Sequence, residues 1–311
     1  MFFFEMAGKF KGRDVISIRD FSKDDLLNIL ATAKKLEANP MPSLMKSKIM
    51  GTLFFEPSTR TRLSFTSAME KMGGHVLGFE TPDVTSVTKG ETVWDTIKMV
   101  ENYVDVIVIR HRLEGAARLA AEASHVPVIN AGDGANQHPT QTMLDMYTIL
   151  KEKGKLDGLN IGFVGDLKYG RTVHSLSIAL SHFRIKQHFI APEALQIPES
   201  YLDRLDKRGI PYSVEEDLLK SAKELDVIYM TRIQKERFPD PVEYNKLKGV
   251  YQIGKSLLNY TKKDVIVLHP LPRVDEIKKE FDDTPNAAYF RQAANGVPVR
   301  QAIIALVTGM I

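Results

Sequence analysis

The chain has 311 residues, 43% of them hydrophobic and 26% charged, with a formal net charge of +3 and no cysteine. That composition suits a globular protein with core enough for two domains. It excludes a disulfide framework, a thiolate metal site and a cysteine nucleophile, and the scattered Lys and Arg form no nucleic-acid footprint.

No apolar run approaches the roughly 20 residues of a membrane helix. The opening MFFFEMAGKF lacks the long apolar region of a signal peptide, so a cytoplasmic location is expected. Ser22 and Asp25 predict a capped helix start, followed by Leu26, Ile29, Leu30, Ala33 and Leu36 at helical spacing. Lys48–Glu56 reads as a strand. The stretch around Phe65–Met72 reads as a helix, His75–Phe79 as a short strand and Glu80–Gly90 as a polar loop. A helix over ETVWDTIKMVENY and a strand DVIVIR ending at Arg110 follow. Next come a helix near Ala116–Ala123, the strand VPVIN, a turn-rich loop and a helix opening at Pro139.

After Gly154 the rhythm restarts. The strand NIGFVGD, the helix RTVHSLSIAL, a strand near Lys186–Ala191 and the strands DVIYM and DVIVLHP lead to a last helix from about Pro298. Alternating strands and helices predict an α/β fold of two domains, each a parallel sheet flanked by helices. The expected division is 1–150 and 151–291, with a C-terminal helix of about 292–311 packing back on the first domain. The helix from Pro139 is the expected link.

Polar clusters fall where the strands end, which is where open α/β sheets bind ligands. In FFEPSTRTRLSF, a helix N-terminus meets Ser58, Thr59, Arg60, Thr61 and Arg62. Free N–H groups, hydroxyls and a guanidinium fork together favour a phosphate. A helix cap alone needs one hydroxyl, and no Walker loop is present. Arg110 ends an apolar strand, where an anion partner and a plain surface position are equally good readings. His138 precedes Pro139, a favoured first helical residue. Taken alone, that histidine is more simply satisfied by local backbone. Lys89, in TSVTKGET, reads alone as an exposed loop lysine. Arg171, in GDLKYGRTVHSL, opens a helix, and Gly165 and Gly170 there do not fit a dinucleotide turn. Arg232 and Gln234 follow a strand, and two prolines in VLHPLPR fix a turn.

In order along the chain, Ser58-Thr59-Arg60-Thr61, Thr88-Lys89-Gly90-Glu91, Arg110-His111, His138-Pro139-Thr140-Gln141, Gly165–Leu176, Thr231-Arg232-Ile233-Gln234 and His269-Pro270-Leu271-Pro272 resemble the catalytic chains of the aspartate carbamoyltransferase family. Each motif is weak alone; together they are specific and cover nearly the whole chain. Ornithine carbamoyltransferases share the first and fourth elements. They typically carry His-Cys-Leu-Pro near the C-terminus and lack the stretch seen here at Lys168–Arg171. A second alternative, a carbamoyl-phosphate or nucleotide sensor on the same fold, would not need both clusters.

The resemblance implies transfer of the carbamoyl group of carbamoyl phosphate to L-aspartate, an early step of de novo pyrimidine biosynthesis, with no cofactor and no metal. It implies that Ser58, Thr59, Arg60 and Thr61 cradle the phosphate, and that Thr61, Arg110 and His138 converge on the carbonyl oxygen. Gln141 and the carbonyls of Leu271 and Pro272 would hold the carbamoyl NH2. Arg171 and Arg232, with Gln234, would bind the aspartate carboxylates. It also implies a homotrimer in which Ser86 and Lys89 enter a neighbour's site, and leaves open separate regulatory chains. The loop around Gln234–Leu247 is the expected mover.

Overall fold

The runs read as strands pair in parallel in a computed structural model, which describes residues 9–233 and 249–311. Two compact units emerge. The first comprises the residues up to Leu144 with Asn295–Ile311, the second Asp145–Ala294.

The first unit holds β1 (Ile49–Phe54), β2 (His75–Phe79), β3 (Val106–His111) and β4 (Val128–Asp133), in the order β2-β1-β3-β4. β3 is buried along its whole length, which explains its near-continuous apolar run. The edge strand β2 is partly exposed. Around the sheet lie α1 (Lys23–Ala38), α2 (Thr59–Lys71), α3 (Val93–Val100) and α4 (Ala116–Ala123). Ile97, Ala117 and Ala120 pack with Leu53, Ile107 and Ile109 in its core. The start of α1 is a capping box: the Ser22 hydroxyl accepts the Asp25 N–H at 3.2 Å, and the Asp25 carboxylate accepts the Ser22 N–H at 3.1 Å.

The second unit holds β5 (Asn160–Val164), β6 (Lys186–Ile190), β7 (Tyr212–Glu215), β8 (Val227–Met230) and β9 (Ile266–Leu268), in the order β7-β6-β5-β8-β9. Its described helices include α6 (Arg171–Leu180), α7 (Glu199–Lys207) and α8 (Leu218–Ser221). α5 (Pro139–Lys153) and α9 (Tyr289–Val307) each contain one of the two divisions between the units.

Two sequence expectations need correction. The last helix begins at Tyr289, well before Pro298, which lies inside it. Proline removes one backbone donor, but buried Tyr289, Val299, Ala302, Ile303 and Leu306 hold the helix on both sides of it. Also, β7, α7 and α8 were not foreseen. β7 is a short, half-exposed edge strand without an apolar run to announce it.

Candidate functional site

Strand order creates a switch point in each sheet. In the first unit the chain winds from β1 outward to β2, then crosses to β3 on the other side of β1. Loops leaving β1 and β3 therefore diverge and open a crevice beyond their C-terminal ends. Ser58–Thr61 follow β1, and Arg110 lies in β3 beside Phe54. The Phe55 N–H donates to the Arg110 carbonyl at 2.8 Å, which ties the two ends together.

Ser58 occupies the N-cap of α2, but its hydroxyl makes no capping hydrogen bond. The cap reading thus fails for this side chain. Thr61 is buried and Arg60 exposed. Partial desolvation lowers the Arg60 pKa, though a guanidinium stays charged. Arg110 is buried. Its Nη1 donates to the Ala131 carbonyl at 3.0 Å and its Nη2 lies 3.4 Å from Glu56 Oε2. Arg62, by contrast, pairs with Glu80 at 2.6 Å.

The loop before His138 is anchored by a buried carboxylate that the sequence did not single out. Asp133 Oδ1 accepts from Asn130 Nδ2 at 2.9 Å and from the Gln137 N–H at 3.1 Å. Its Oδ2 accepts from the Gly115 N–H at 3.0 Å and Asn136 Nδ2 at 3.1 Å. His138 follows, buried, and its carbonyl accepts the N–H groups of Gln141 and Thr142 at 3.0 and 3.2 Å. The only local signal was an acid between glycines in a turn-rich loop. Ser86 and Lys89 sit on an exposed turn after the edge strand β2, at the end of the sheet opposite β4.

The second unit repeats the topology. After β5 the chain winds outward through β6 and β7, then returns to β8 on the other side. Its switch point lies between β5 and β8. Arg171 opens α6 beyond β5, and Arg232 follows β8 by two residues. These loops are stitched closely. The Thr231 N–H and hydroxyl donate to the Val164 carbonyl at 2.8 and 3.0 Å. Gly165 has φ +112°, and a Cβ there would meet the Thr231 carbonyl oxygen at 2.4 Å. Gly165→Ala should therefore destabilise the chain by about 2–4 kcal/mol, from combined backbone strain and overpacking. A urea midpoint matching the wild type would show that the two loops can separate freely. Gln234 lies outside the described residues, as does the segment expected to move.

An open cleft at this switch point is lined by Gly165, Thr231, Arg232, Tyr251, Asp275 and Glu276. Beside it, the buried His269 Nδ1 accepts the Leu271 N–H at 2.8 Å, and His269 Nε2 lies 2.8 Å from Glu276 Oε1. The proton therefore sits on Nε2 and the imidazole is neutral. Burial pulls the His269 pKa down, and the Arg273 and Arg232 charges add to this against Glu276. Leu271 has φ +57°, rare for a branched side chain. Among the described residues, no group of three or more His, Asp and Glu could hold a metal ion.

The sequence profile described as the carbamoyl-P binding domain of aspartate/ornithine carbamoyltransferase matches residues 13–151, and that of the Asp/Orn binding domain matches residues 157–307. The chain belongs to the aspartate/ornithine carbamoyltransferase family. It is 57% identical to the aspartate carbamoyltransferase catalytic subunit of Thermococcus kodakarensis, over 97% of this chain and 98% of that one. The catalytic subunit of M. jannaschii aspartate transcarbamoylase superposes with a TM-score of 0.88 at 50% identity, covering 94% of this chain and 96% of that one. A Trypanosoma cruzi aspartate transcarbamoylase solved with carbamoyl phosphate and aspartate gives 0.90 at 38% identity, covering 96% and 98%.

Within this carbamoyltransferase fold, buried histidines make stability depend on pH. Burial is the largest influence on His111, His188 and His269, and each is held below the ordinary value of 6.5. Unfolding releases them to that value, so the unfolded chain takes up protons first. The stability is complete above about pH 6.5. It is lost as pH falls toward the folded values, by up to about 1.4 kcal/mol per pH unit for each histidine. The urea midpoint should drop between about pH 7 and pH 5.5. An unchanged midpoint would mean that these imidazoles are charged in the fold.

Proposed function

We propose that this chain transfers the carbamoyl group of carbamoyl phosphate to the amine of L-aspartate, giving N-carbamoyl-L-aspartate and phosphate. The observation that carries the acceptor is the stitched β5–β8 switch point, with Arg171 and Arg232 on its two loops. Two guanidinium forks suit a dicarboxylate; the side-chain cation of ornithine would call for acids. The named relatives support the same acceptor, through a complex with carbamoyl phosphate and aspartate.

The first unit would bind carbamoyl phosphate and the second aspartate. Ser58, Thr59, Arg60 and Thr61 would hold the phosphate at the N-terminus of α2, whose cap hydroxyl is not committed to the helix. Thr61, Arg110 and His138 would face the carbonyl oxygen and stabilise its developing charge. Gln141 and the carbonyls of Leu271 and Pro272 would hold the carbamoyl NH2. Arg171, Arg232 and Gln234 would hold aspartate. Its amine attacks the carbonyl carbon, the bond to the phosphate oxygen breaks, and the departing phosphate takes the amine proton. Orienting two reactants in this way can supply roughly 7–11 kcal/mol.

The reading includes a homotrimer in which Ser86 and Lys89 complete a neighbour's site. Their exposure supports it, and so do the exposed apolar side chains Trp94, Met99 and Tyr103 on and beside α3. The reading leaves open separate regulatory chains, and the cytoplasm would be the compartment. No described helix is long and apolar enough to cross a membrane.

The test is a product assay on the purified chain with carbamoyl phosphate and either L-aspartate or L-ornithine. Carbamoyl-aspartate alone is expected. Citrulline would overturn the roles of Arg171 and Arg232, and binding of carbamoyl phosphate without either product would favour a sensor.

A further inference from the structure

A buried polar chain runs from α5 to the His269–Pro272 turn. Asp145 on α5 is fully buried. Its Oδ2 accepts from the Tyr229 hydroxyl at 2.8 Å, and its Oδ1 accepts from Gln292 Nε2 at 2.6 Å. Gln292, on α9, is also buried, and its Oε1 accepts the His269 N–H at 2.8 Å. The His269 ring then accepts the Leu271 N–H. It is braced from the other side by Glu276, whose Oε2 accepts the N–H groups of Val274 and Asp275 at 3.0 and 3.1 Å. Every link from the carboxylate to Leu271 is thus a hydrogen bond between buried groups or from the turn backbone itself.

We infer that Asp145 and Gln292 are positioning residues that aim the Leu271 and Pro272 carbonyls, and so select carbamoyl phosphate over plain phosphate. The reasoning is directional. An amide side chain can turn either end toward a partner. A carboxylate only accepts, so Asp145 forces the Gln292 NH2 toward itself and leaves the Gln292 oxygen facing His269. That oxygen fixes the backbone at His269, and the imidazole fixes it at Leu271. Leu271 stands in the left-handed region, a conformation that persists only where surroundings over-determine it. The inference rests on the proposed role of the two carbonyls. Inorganic phosphate would occupy the cradle at α2 without using them, so the two ligands report the turn and the cradle separately.

The experiment measures binding of carbamoyl phosphate and of inorganic phosphate to the full chain by calorimetry. Gln292→Leu and Asp145→Leu should each weaken carbamoyl phosphate about tenfold, the effect of one hydrogen bond, and leave phosphate within about twofold. The double variant should lose no more than either single one, because both act through one route. Asp145→Asn is nearly isosteric and serves where the leucine variants do not fold. Its amide no longer dictates the orientation of Gln292, and it should weaken carbamoyl phosphate about threefold while sparing the KM for aspartate. Equal weakening of both ligands, or carbamoyl-phosphate binding at the wild-type level in folded variants, would overturn the inference. Failure of the wild-type chain to make carbamoyl-aspartate would instead overturn the functional reading beneath it.

Discussion

Arg60→Ala and Arg110→Ala should each lower turnover at saturating substrates about 100- to 1000-fold, the usual loss when one donor to developing charge is removed. The two arginines reach this outcome from different settings. Arg60 stands exposed in the first turn of α2, where backbone N–H groups and helix dipole add to its charge. Arg110 is buried at the end of β3 and held by the Ala131 carbonyl and Glu56. Arg110→Ala should also destabilise the fold, because it leaves those acceptors without this donor. Arg62→Ala is the control. Its guanidinium is engaged by Glu80 in a half-exposed ion pair, which contributes about 0–1 kcal/mol, so turnover should stay near normal. Near-normal turnover in both Arg60→Ala and Arg110→Ala would remove the phosphate and oxyanion roles from these residues.

A mixture of Arg60→Ala chains with Lys89→Ala chains should recover activity that neither variant has alone. Each site would draw Arg60 from one chain and Lys89 from its neighbour. In an equal random mixture, about a quarter of the sites would then combine two intact contributions. The prediction rests on the proposed homotrimer, and the exposed placement of Lys89 is compatible with it. Lys89 lies on an exposed turn beyond β2, the edge strand, while Ser58–Thr61 follow β1 and Arg110 lies near the end of β3. The measurement is specific activity after the two variants are unfolded and refolded together. Activity no higher than the mean of the two parents would show that each site is built from a single chain.

The runs that became β1, β3, β5 and β8 were legible because buried parallel strands need apolar side chains on both faces. The start of α1 was legible because a capping box is local chemistry. So were the polar clusters at the strand ends, because their cations and hydroxyls stand in the sequence directly after the apolar runs. What the sequence determined by itself was therefore local: which segments are strands and helices, and which carry cations and hydroxyls at their ends. Tertiary structure decided the strand order, since crossovers depend on pairing between segments far apart in the chain. It alone placed Ser58–Thr61 beside Arg110 at one switch point and the Arg171 and Arg232 loops at the other. It also carried α9 through Pro298, against local propensity, by burying the helix on both sides. Finally, it turned Asp133, Asp145 and Gln292 into anchors. A buried polar residue declares its role only through its partners, and those partners come from other elements of the fold.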